Sequence, residues 1–337
     1  KRQGAGRTPH ILVVQDGAET LGVLPLHASD SKRSLLARRD LQMMTNGHSP
    51  CSDLLAKRGH DRVVRETLAS HLRQDALSWD VAVLPEVSSE ALLAQLPRCV
   101  TDSSCGIQHQ RNAPFIPLQD TWEAYRNRLS KRFVKVLRNN RNRVTRDAST
   151  EIELLEDTDE ILAALEDMFA IGEKSWQGES GSAVGSNEQN QRFYTELVRL
   201  FAPRQQMRLW FLKRNGERVA FEYHLKYRGV EFGLKTGFDR EFEKIGIGTF
   251  LDQSILEQLF ADNSLHEYDL LGDFDFYKQR WTSQSRAYYR ITLYGGSWRA
   301  RASALWQLRL LPMLRQQEWL QQLRHLAATR AAARQES

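Results

Sequence analysis

A carboxylate and a histidine lie where they could move protons. Glu222 and His224 are two residues apart within the strand-like pattern Val219–Leu225, so the sequence predicts both side chains on one face of a strand. A carboxylate in that position can accept a proton from an ammonium group, directly or through water. An exposed pair on an edge strand has the same spacing and is an equally good interpretation.

A polar turn follows the predicted strand Tyr268–Leu271. Open α/β sheets bind ligands at the ends of their strands, which makes Asp273 a candidate base and Asp275 a weaker one. A plain turn aspartate is the alternative for Asp273. Lys278 can neutralise a phosphate or hold a substrate carboxylate, or it is a solvated lysine next to Arg280.

A glycine-containing loop connects the predicted strand Val230–Gly237 to the predicted helix Thr249–Phe260. The strand–loop–helix order directs several backbone N–H groups at one point, a geometry that binds phosphate. The candidate phosphate-binding residues are Lys244, Gly246, Ile247, Gly248 and Thr249.

Composition excludes several other classes of protein. No run of about 18 apolar residues exists to span a membrane. The three cysteines make a poor disulfide framework and indicate reduced thiols in a cytoplasmic protein. The scattered histidines lack ligand spacing, so we expect no metal. The sequence has no serine-hydrolase elbow, no Walker-type phosphate loop and no dinucleotide-binding fingerprint.

Positive charge is concentrated in two segments of a chain with a net charge of +5. Segment Arg126–Arg146 holds nine Lys or Arg and no acid, so it could meet a phosphate-bearing acceptor, or pair with the acids of Glu151–Asp167. Segment Trp298–Ser337 has seven Arg and two Glu. It suits a partner-protein groove or an anionic membrane surface, with packing on its own domain as the alternative.

Two hairpin patterns lie two hundred residues apart, with turns at Asp16-Gly17 and Asn215-Gly216. Their similarity predicts an internal duplication of an α/β unit, although two unrelated hairpins would look the same. The predicted domains are 1–121, 122–297 and a basic amphipathic helical tail at 298–337. The other predicted elements are helices Asp61–Leu77, Ile161–Lys174 and Arg192–Phe201, a helix or helix pair Trp122–Arg146, a strand Trp79–Leu84, a connecting loop and strand Cys99–Leu118, and a mobile loop Gln177–Asn190.

With these elements in order, the sequence from Pro9 to Tyr294 resembles the GNAT acyltransferase superfamily. More narrowly, it resembles the tandem-GNAT group that contains CelD-type polysaccharide-biosynthesis proteins and Fem peptidoglycan aminoacyl transferases. The matching motifs are Leu21–Leu26, Ser52–Leu55, Pro114–Leu118 before Trp122, Leu129–Arg132, Glu173–Trp176, and Asp269–Gly272 leading to Tyr277-Lys278.

The resemblance implies an α/β fold of mixed sheets, with two GNAT-like lobes in tandem and a C-terminal helical tail. The C-terminal lobe would bind acyl-CoA, either acetyl-CoA or a longer thioester, and the N-terminal lobe would be degenerate. The acyl group would pass to a sugar, an amino acid or a cell-envelope or exopolysaccharide precursor. An aminoacyl-tRNA donor, or a non-catalytic partner protein of a polysaccharide-synthesis complex, are the alternatives.

Particular residues acquire roles from the resemblance. Tyr277 would protonate the departing CoA sulfur, or it packs in the core. Apart from the resemblance, Trp176 precedes the loop 177–190, which could close over an acceptor, or it marks a helix end followed by a flexible linker. Arg132 belongs to the basic segment that could meet a phosphate-bearing acceptor. The family's pyrophosphate loop begins with Gln or Arg, where this sequence has Glu243, and a carboxylate facing a pyrophosphate repels it.

Overall fold

The computed structural model describes residues 7–31, 38–46, 49–76, 78–99, 105–146, 148–175 and 184–316. The chain divides into two compact units. Unit 1 comprises residues up to Arg111 together with those from Ala287 onward, and unit 2 comprises Asn112–Arg286. Within the described ranges, no helix is long and apolar enough to cross a membrane.

Unit 1 has a mixed sheet with strand order β1-β2-β3-β5-β12, in which β4 pairs with β2. All neighbours are antiparallel except β3 and β5. Buried apolar side chains of α1, including Val64 and Leu68, form the core with the strands. The elements are β1 Arg7–Asp16, β2 Glu19–Ser31, β3 Arg38–Met43, β4 Leu55–Ala56, α1 Asp61–Gln74, β5 Val81–Ser88, α2 Leu96–Cys99, the first part of β6 Cys105–Pro117, and most of β12 Ser285–Tyr294.

Unit 2 has a mixed sheet with strand order β7-β8-β9-β10-β11-β6. Only the neighbours β10 and β11 are parallel. The other elements of unit 2 are α3 Trp122–Arg128, α4 Lys131–Arg146, β7 Thr150–Leu155, α5 Thr158–Lys174, α6 Glu188–Phe201, β8 Met207–Arg214, β9 Glu217–Tyr227, β10 Val230–Phe238, α7 Ile247–Ala261 and β11 Glu267–Asp269.

The two units repeat one strand topology. Read from β1, the unit 1 neighbours are antiparallel, antiparallel, parallel and antiparallel, and the same series occurs in unit 2 from β8 to β6. A helix precedes the strand that pairs in parallel in each unit, α1 before β5 and α7 before β11. The sequence-based alignment of Gly17 with Gly216 therefore matches hairpin β1–β2 to hairpin β8–β9. The fold class of mixed α/β sheets with two lobes and C-terminal helices is confirmed.

Two strands cross from one compact unit to the other. Strand β6 begins in unit 1 and enters unit 2 at Asn112, whereas β12 begins in unit 2 and enters unit 1 at Ala287. Residues Tyr288–Tyr294 pair with β5, so this segment belongs to the unit formed mainly by the N-terminal residues. The sequence placed the boundaries at 121/122 and 297/298 because strand patterns do not show which sheet a strand joins.

Helix boundaries differ from expectation at a few points. The segment 122–146 is a helix pair, because Leu129 adopts an extended conformation between α3 and α4. The predicted loop 177–190 is too long, because Asn187 caps α6 by accepting the backbone N–H of Asn190. The C-terminal helix continues through Pro312, as helix α8 Trp298–Ala304, a π-helical segment Leu305–Leu310 and α9 Leu311–Gln316.

Candidate functional site

Strands β10 and β11 separate soon after they pair. Their parallel ladder covers only Val230–Phe232 against Glu267–Asp269, and β10 then continues alone on that side to Phe238. A bulge at Leu234 interrupts the pairing of β10 with β9 at the same level. The separated strands leave backbone groups of β10 without a ladder partner on this side, which is where an extended ligand could pair.

Helix α7 begins beside this opening with no side chain capping it. The first N–H groups of a helix have no intrahelical partner, so Ile247, Gly248 and Thr249 present free donors and the positive end of the helix dipole. Gly246 lies before them with φ +82°, and a Cβ there would come within 2.4 Å of the Asn140 side chain. A larger residue here would adopt a strained left-handed conformation and displace Asn140. The predicted strand–loop–helix arrangement is present.

The charges around this loop are mixed but favour an anion. The guanidinium of Arg143 lies 3.5 Å from the carbonyl oxygen of Lys244. Both side chains are exposed beside the helix N-terminus. Glu243 is exposed and lies 3.8 Å from Arg240, which offsets part of its charge. The backbone donors and nearby cations therefore suit a phosphate group despite the acidic residue.

Glu222 and His224 share a face of β9, as their spacing predicts, and the two side chains contact each other. His224 Nε2 lies 2.8 Å from Glu222 Oε2, and its Nδ1 lies 3.0 Å from Glu231 Oε1 on β10. The interpretation as an exposed edge pair is wrong, because β9 lies between β8 and β10 and His224 is 0% exposed. Glu222 is 3% exposed and cannot meet a substrate directly.

The contacts of His224 fix its protonation state. Both ring nitrogens face carboxylates, which only accept hydrogen bonds, so the ring must donate from both as the imidazolium. Burial acts to lower the His224 pKa, but Glu222 and Glu231 outweigh it and raise the pKa to about 9. Burial likewise opposes ionisation of Glu222, but His224 lowers the Glu222 pKa below its usual value. The histidine and Glu222 are therefore an ion pair at neutral pH.

A buried arginine balances the second carboxylate. Arg208 on β8 lies 3.3 Å from Glu231, 2.7 Å from Asp262 and 2.8 Å from Glu156. Tyr268 on β11 donates to Glu222 Oε2 at 3.1 Å. Side chains from four strands of one sheet thus form this buried charged cluster.

Asp252 connects this network to the surface. It lies on α7 within hydrogen-bonding reach of Glu222, and its carboxylate accepts a hydrogen bond from the Tyr277 hydroxyl. Burial and the charge of Glu222 raise the Asp252 pKa well above its usual value. Tyr277 is 38% exposed, so the interpretation as a core aromatic is wrong. A relay therefore runs from Tyr277 through Asp252 to Glu222.

The remaining predicted residues have different surroundings. Asp273 is exposed, and Asp275 Oδ1 accepts the backbone N–H of Lys278 as a turn cap. Lys278 Nζ donates to the carbonyl of Leu271 at 2.7 Å, so the lysine holds the turn together. Trp176 lies outside the described residues.

Arg132 lines a groove of about 960 Å³ in unit 2. The Arg280 guanidinium forms another wall, 5.1 Å from the ring centre of Phe133 and 4.6 Å from that of Tyr277. The groove thus adjoins the exposed end of the relay and presents cationic and aromatic groups to an acceptor. Sequence reasoning missed Asp252, Glu231, Tyr268, Arg208 and Arg280.

The comparisons with known proteins agree with this geometry. Residues 131–279 match the acetyltransferase (GNAT) domain. The matched segment is less than half of the 337-residue chain. The matched residues include β10, α7, β11 and the whole relay from Tyr277 to Glu222. A comparison with curated protein sequences finds no match.

Solved structures show the same fold over most of the chain. The C-terminal domain described as a lysylphosphatidylglycerol synthetase from Agrobacterium fabrum has a TM-score of 0.57 and 11% identity, covering 88% of each chain. A conserved protein of unknown function from Bacteroides thetaiotaomicron has a TM-score of 0.56 and 13% identity, covering 85% of this chain and 86% of that one. L-PGS from Bacillus licheniformis has a TM-score of 0.51 and 13% identity, covering 88% of each. The narrower resemblance to CelD-type proteins stays a prediction.

Proposed function

We propose that unit 2 transfers an acyl group from acyl-CoA to an amine or hydroxyl. The acceptor is a sugar, an amino acid or a cell-envelope or exopolysaccharide precursor. The observation that carries the proposal is the uncapped N-terminus of α7, which begins at Gly246 beside the separated strands β10 and β11. A bound thioester would supply the activated acyl group, and the free N–H groups of α7 would hold its pyrophosphate.

The chain supplies groups for proton transfer and for the acceptor. Acyl transfer needs a neutral nucleophile and a proton for the leaving atom. Tyr277 is the exposed member of the relay, and the groove of Arg132 and Arg280 adjoins it. Guanidinium groups in that groove favour an acceptor that carries phosphate or carboxylate.

Calorimetric titration with acetyl-CoA and longer acyl-CoAs tests the donor. Thr249→Glu places a carboxylate at the third helical position, where it favours the helix but repels a phosphate. Thr249→Gln is the matched neutral variant. We expect micromolar binding to the wild type and Thr249→Gln, and at least tenfold weaker binding to Thr249→Glu. Absence of binding to every thioester contradicts the proposal.

The basic face of α4 supports an aminoacyl-tRNA donor as a second candidate. Acids of 151–167 do not pair with it in the described part of the chain. Glu153 instead pairs with Lys213 and Arg218, and Glu156 pairs with Arg208. Among the described residues, six cations of Arg126–Arg146 form no ion pair with an acid: Arg126, Lys131, Arg132, Lys135, Arg138 and Arg146.

Salt dependence tests this second candidate. About six phosphate contacts lose roughly a thousandfold in affinity between 50 and 200 mM salt, because each contact releases counterions. Filter binding of aminoacyl-tRNA at both concentrations measures the slope, and Lys135→Glu/Arg138→Glu should reduce it. If the affinity for aminoacyl-tRNA does not change with salt, or if no tRNA binds, acyl-CoA remains the proposed donor.

A further inference from the structure

The hydrogen bonds of Glu222 leave one of its oxygens without a donor. Glu222 Oε2 accepts from His224 and from Tyr268, but the buried Oε1 has no partner that carries a hydrogen. The carboxyl of Asp252 lies within hydrogen-bonding reach of Glu222. Two ionised carboxylates in contact would repel each other and leave Oε1 unsatisfied, whereas one proton between them supplies the missing donor.

The surroundings of Asp252 assign that proton to it. Arg280 and the buried Trp281 are the other charged or polar groups facing Asp252, and Tyr277 donates to its Oδ2. Glu222 faces the imidazolium of His224, which keeps Glu222 ionised. Glu222 therefore stays ionised beside a cation at 2.8 Å, whereas Asp252 faces the ionised Glu222.

We propose that Asp252 and Glu222 share a single proton, held by Asp252, and that Tyr277 is the route by which this proton exchanges with the surface. The inference deepens the proposed transferase function, and the part that this proton exchange plays in acyl transfer rests on that function. Asp252 contacts Tyr277 and not a substrate, so it is a positioning residue.

The carboxyl pair Asp252 and Glu222, together with Tyr277, can account for every proton that acyl transfer moves. The bond from the acyl carbon to its leaving atom breaks, and the leaving atom takes the proton of Tyr277 Oη. Tyr277 Oη takes the Asp252 proton in turn. The acceptor nitrogen or oxygen forms the new bond to the acyl carbon and releases one proton, which returns through Tyr277 to Asp252. His224 beside Glu222 and Arg280 facing Asp252 offset the transient extra negative charge.

Infrared spectroscopy of the whole chain tests proton sharing without any substrate. A protonated carboxyl has a carbonyl band that a carboxylate lacks. We expect this band at pH 7 in the wild type and in Glu257→Gln, which alters another acid of α7. Asp252→Asn should lose the band, although its amide can still donate to Glu222 and accept from Tyr277. In Glu222→Gln the band should titrate away at lower pH, because the neighbouring negative charge is gone.

Transfer into D₂O tests the route. The band shifts when the carboxyl exchanges its hydrogen, and we expect Tyr277→Phe to slow this exchange at least tenfold with the band otherwise unchanged. Identical spectra of the wild type and Asp252→Asn overturn the shared proton, and equal exchange rates overturn the role of Tyr277. A band that behaves as expected in a chain with no affinity for acyl-CoA or aminoacyl-tRNA overturns the proposed function alone.

Discussion

At the scale of residues, the buried His224 links stability to pH. Its pKa rises from 6.5 to about 9 on folding. A raised folded-state pKa contributes stability that is fully present below pH 6.5 and is lost as pH rises through about 9. A shift of this size corresponds to about 3 kcal/mol of the free energy of unfolding. Urea denaturation at pH 6 and pH 9 measures the difference, and His224→Gln should remove most of it.

Gly246 is a second residue whose role can be isolated. Gly216 has nearly the same backbone, φ +85° against φ +82°, but a Cβ at Gly216 meets nothing within 4 Å. Alanine at either position costs about 1–2 kcal/mol for the left-handed conformation. Gly246→Ala should cost about 1–3 kcal/mol more, because Asn140 must move. Chemical denaturation of both variants tests this, and equal losses would show that Asn140 gives way freely.

Acyl-CoA titration of the same two variants separates stability from binding. Moving Asn140 disturbs the turn that orients the N–H groups of Ile247 and Gly248. Gly246→Ala should therefore also weaken the binding of acyl-CoA. Gly216 lies in the β8–β9 turn, so Gly216→Ala should bind acyl-CoA as the wild type does.

At the scale of elements, the turn before α7 carries an unfavourable acid. Glu243 and Glu241 are both exposed residues of the short helix Arg240–Ile245, and Glu243 is the nearer to Gly246. Glu243→Gln should tighten acyl-CoA binding by at most about fivefold, because an exposed charge interaction contributes less than about 1 kcal/mol. Glu241→Gln is the control and should change affinity less. If Glu243→Gln weakens binding, its carboxylate contacts the ligand favourably.

At the scale of the whole molecule, the C-terminal helices serve stability and offer an apolar surface. Ala300 and Ala304 are buried with Val81 and Tyr294 in unit 1. Trp306 is 50% exposed and Met313 is 64% exposed. Packing on its own domain and docking to a partner protein are therefore compatible, because different residues of one helical segment serve each purpose.

Surface substitution tests the docking hypothesis better than deletion does. Deleting 298–337 removes Ala300 and Ala304 from the core and should destabilise unit 1. Trp306→Ser/Met313→Ser should leave the free energy of unfolding within about 0.5 kcal/mol, since both side chains are exposed. If the tail docks a partner protein or a vesicle of anionic lipid, the double variant should lose co-sedimentation with it. Unchanged co-sedimentation contradicts docking through this face.

The sequence by itself determined the local features. Alternation in β9 predicted that Glu222 and His224 share a face, and the glycines of 246–248 predicted a helix start that can bind phosphate. These features depend on neighbours within a few residues, where backbone geometry follows residue type. An acid at position 252 of the mostly apolar helix α7, whose other acid is Glu257, was the one sequence signal for Asp252, because such helices rarely bury an unpaired carboxylate.

Only the tertiary structure decided the burial, partners and protonation of those residues. His224 could not be identified as an imidazolium until Glu231, on the next strand, was placed beside it. Asp252, Glu222 and Tyr277 come from a helix, a strand and a turn, and long-range packing alone brings them together. Unit 1 is likewise completed by β12, from a distant part of the chain, and the hydrogen-bonding groups of a strand are the same whichever sheet it joins.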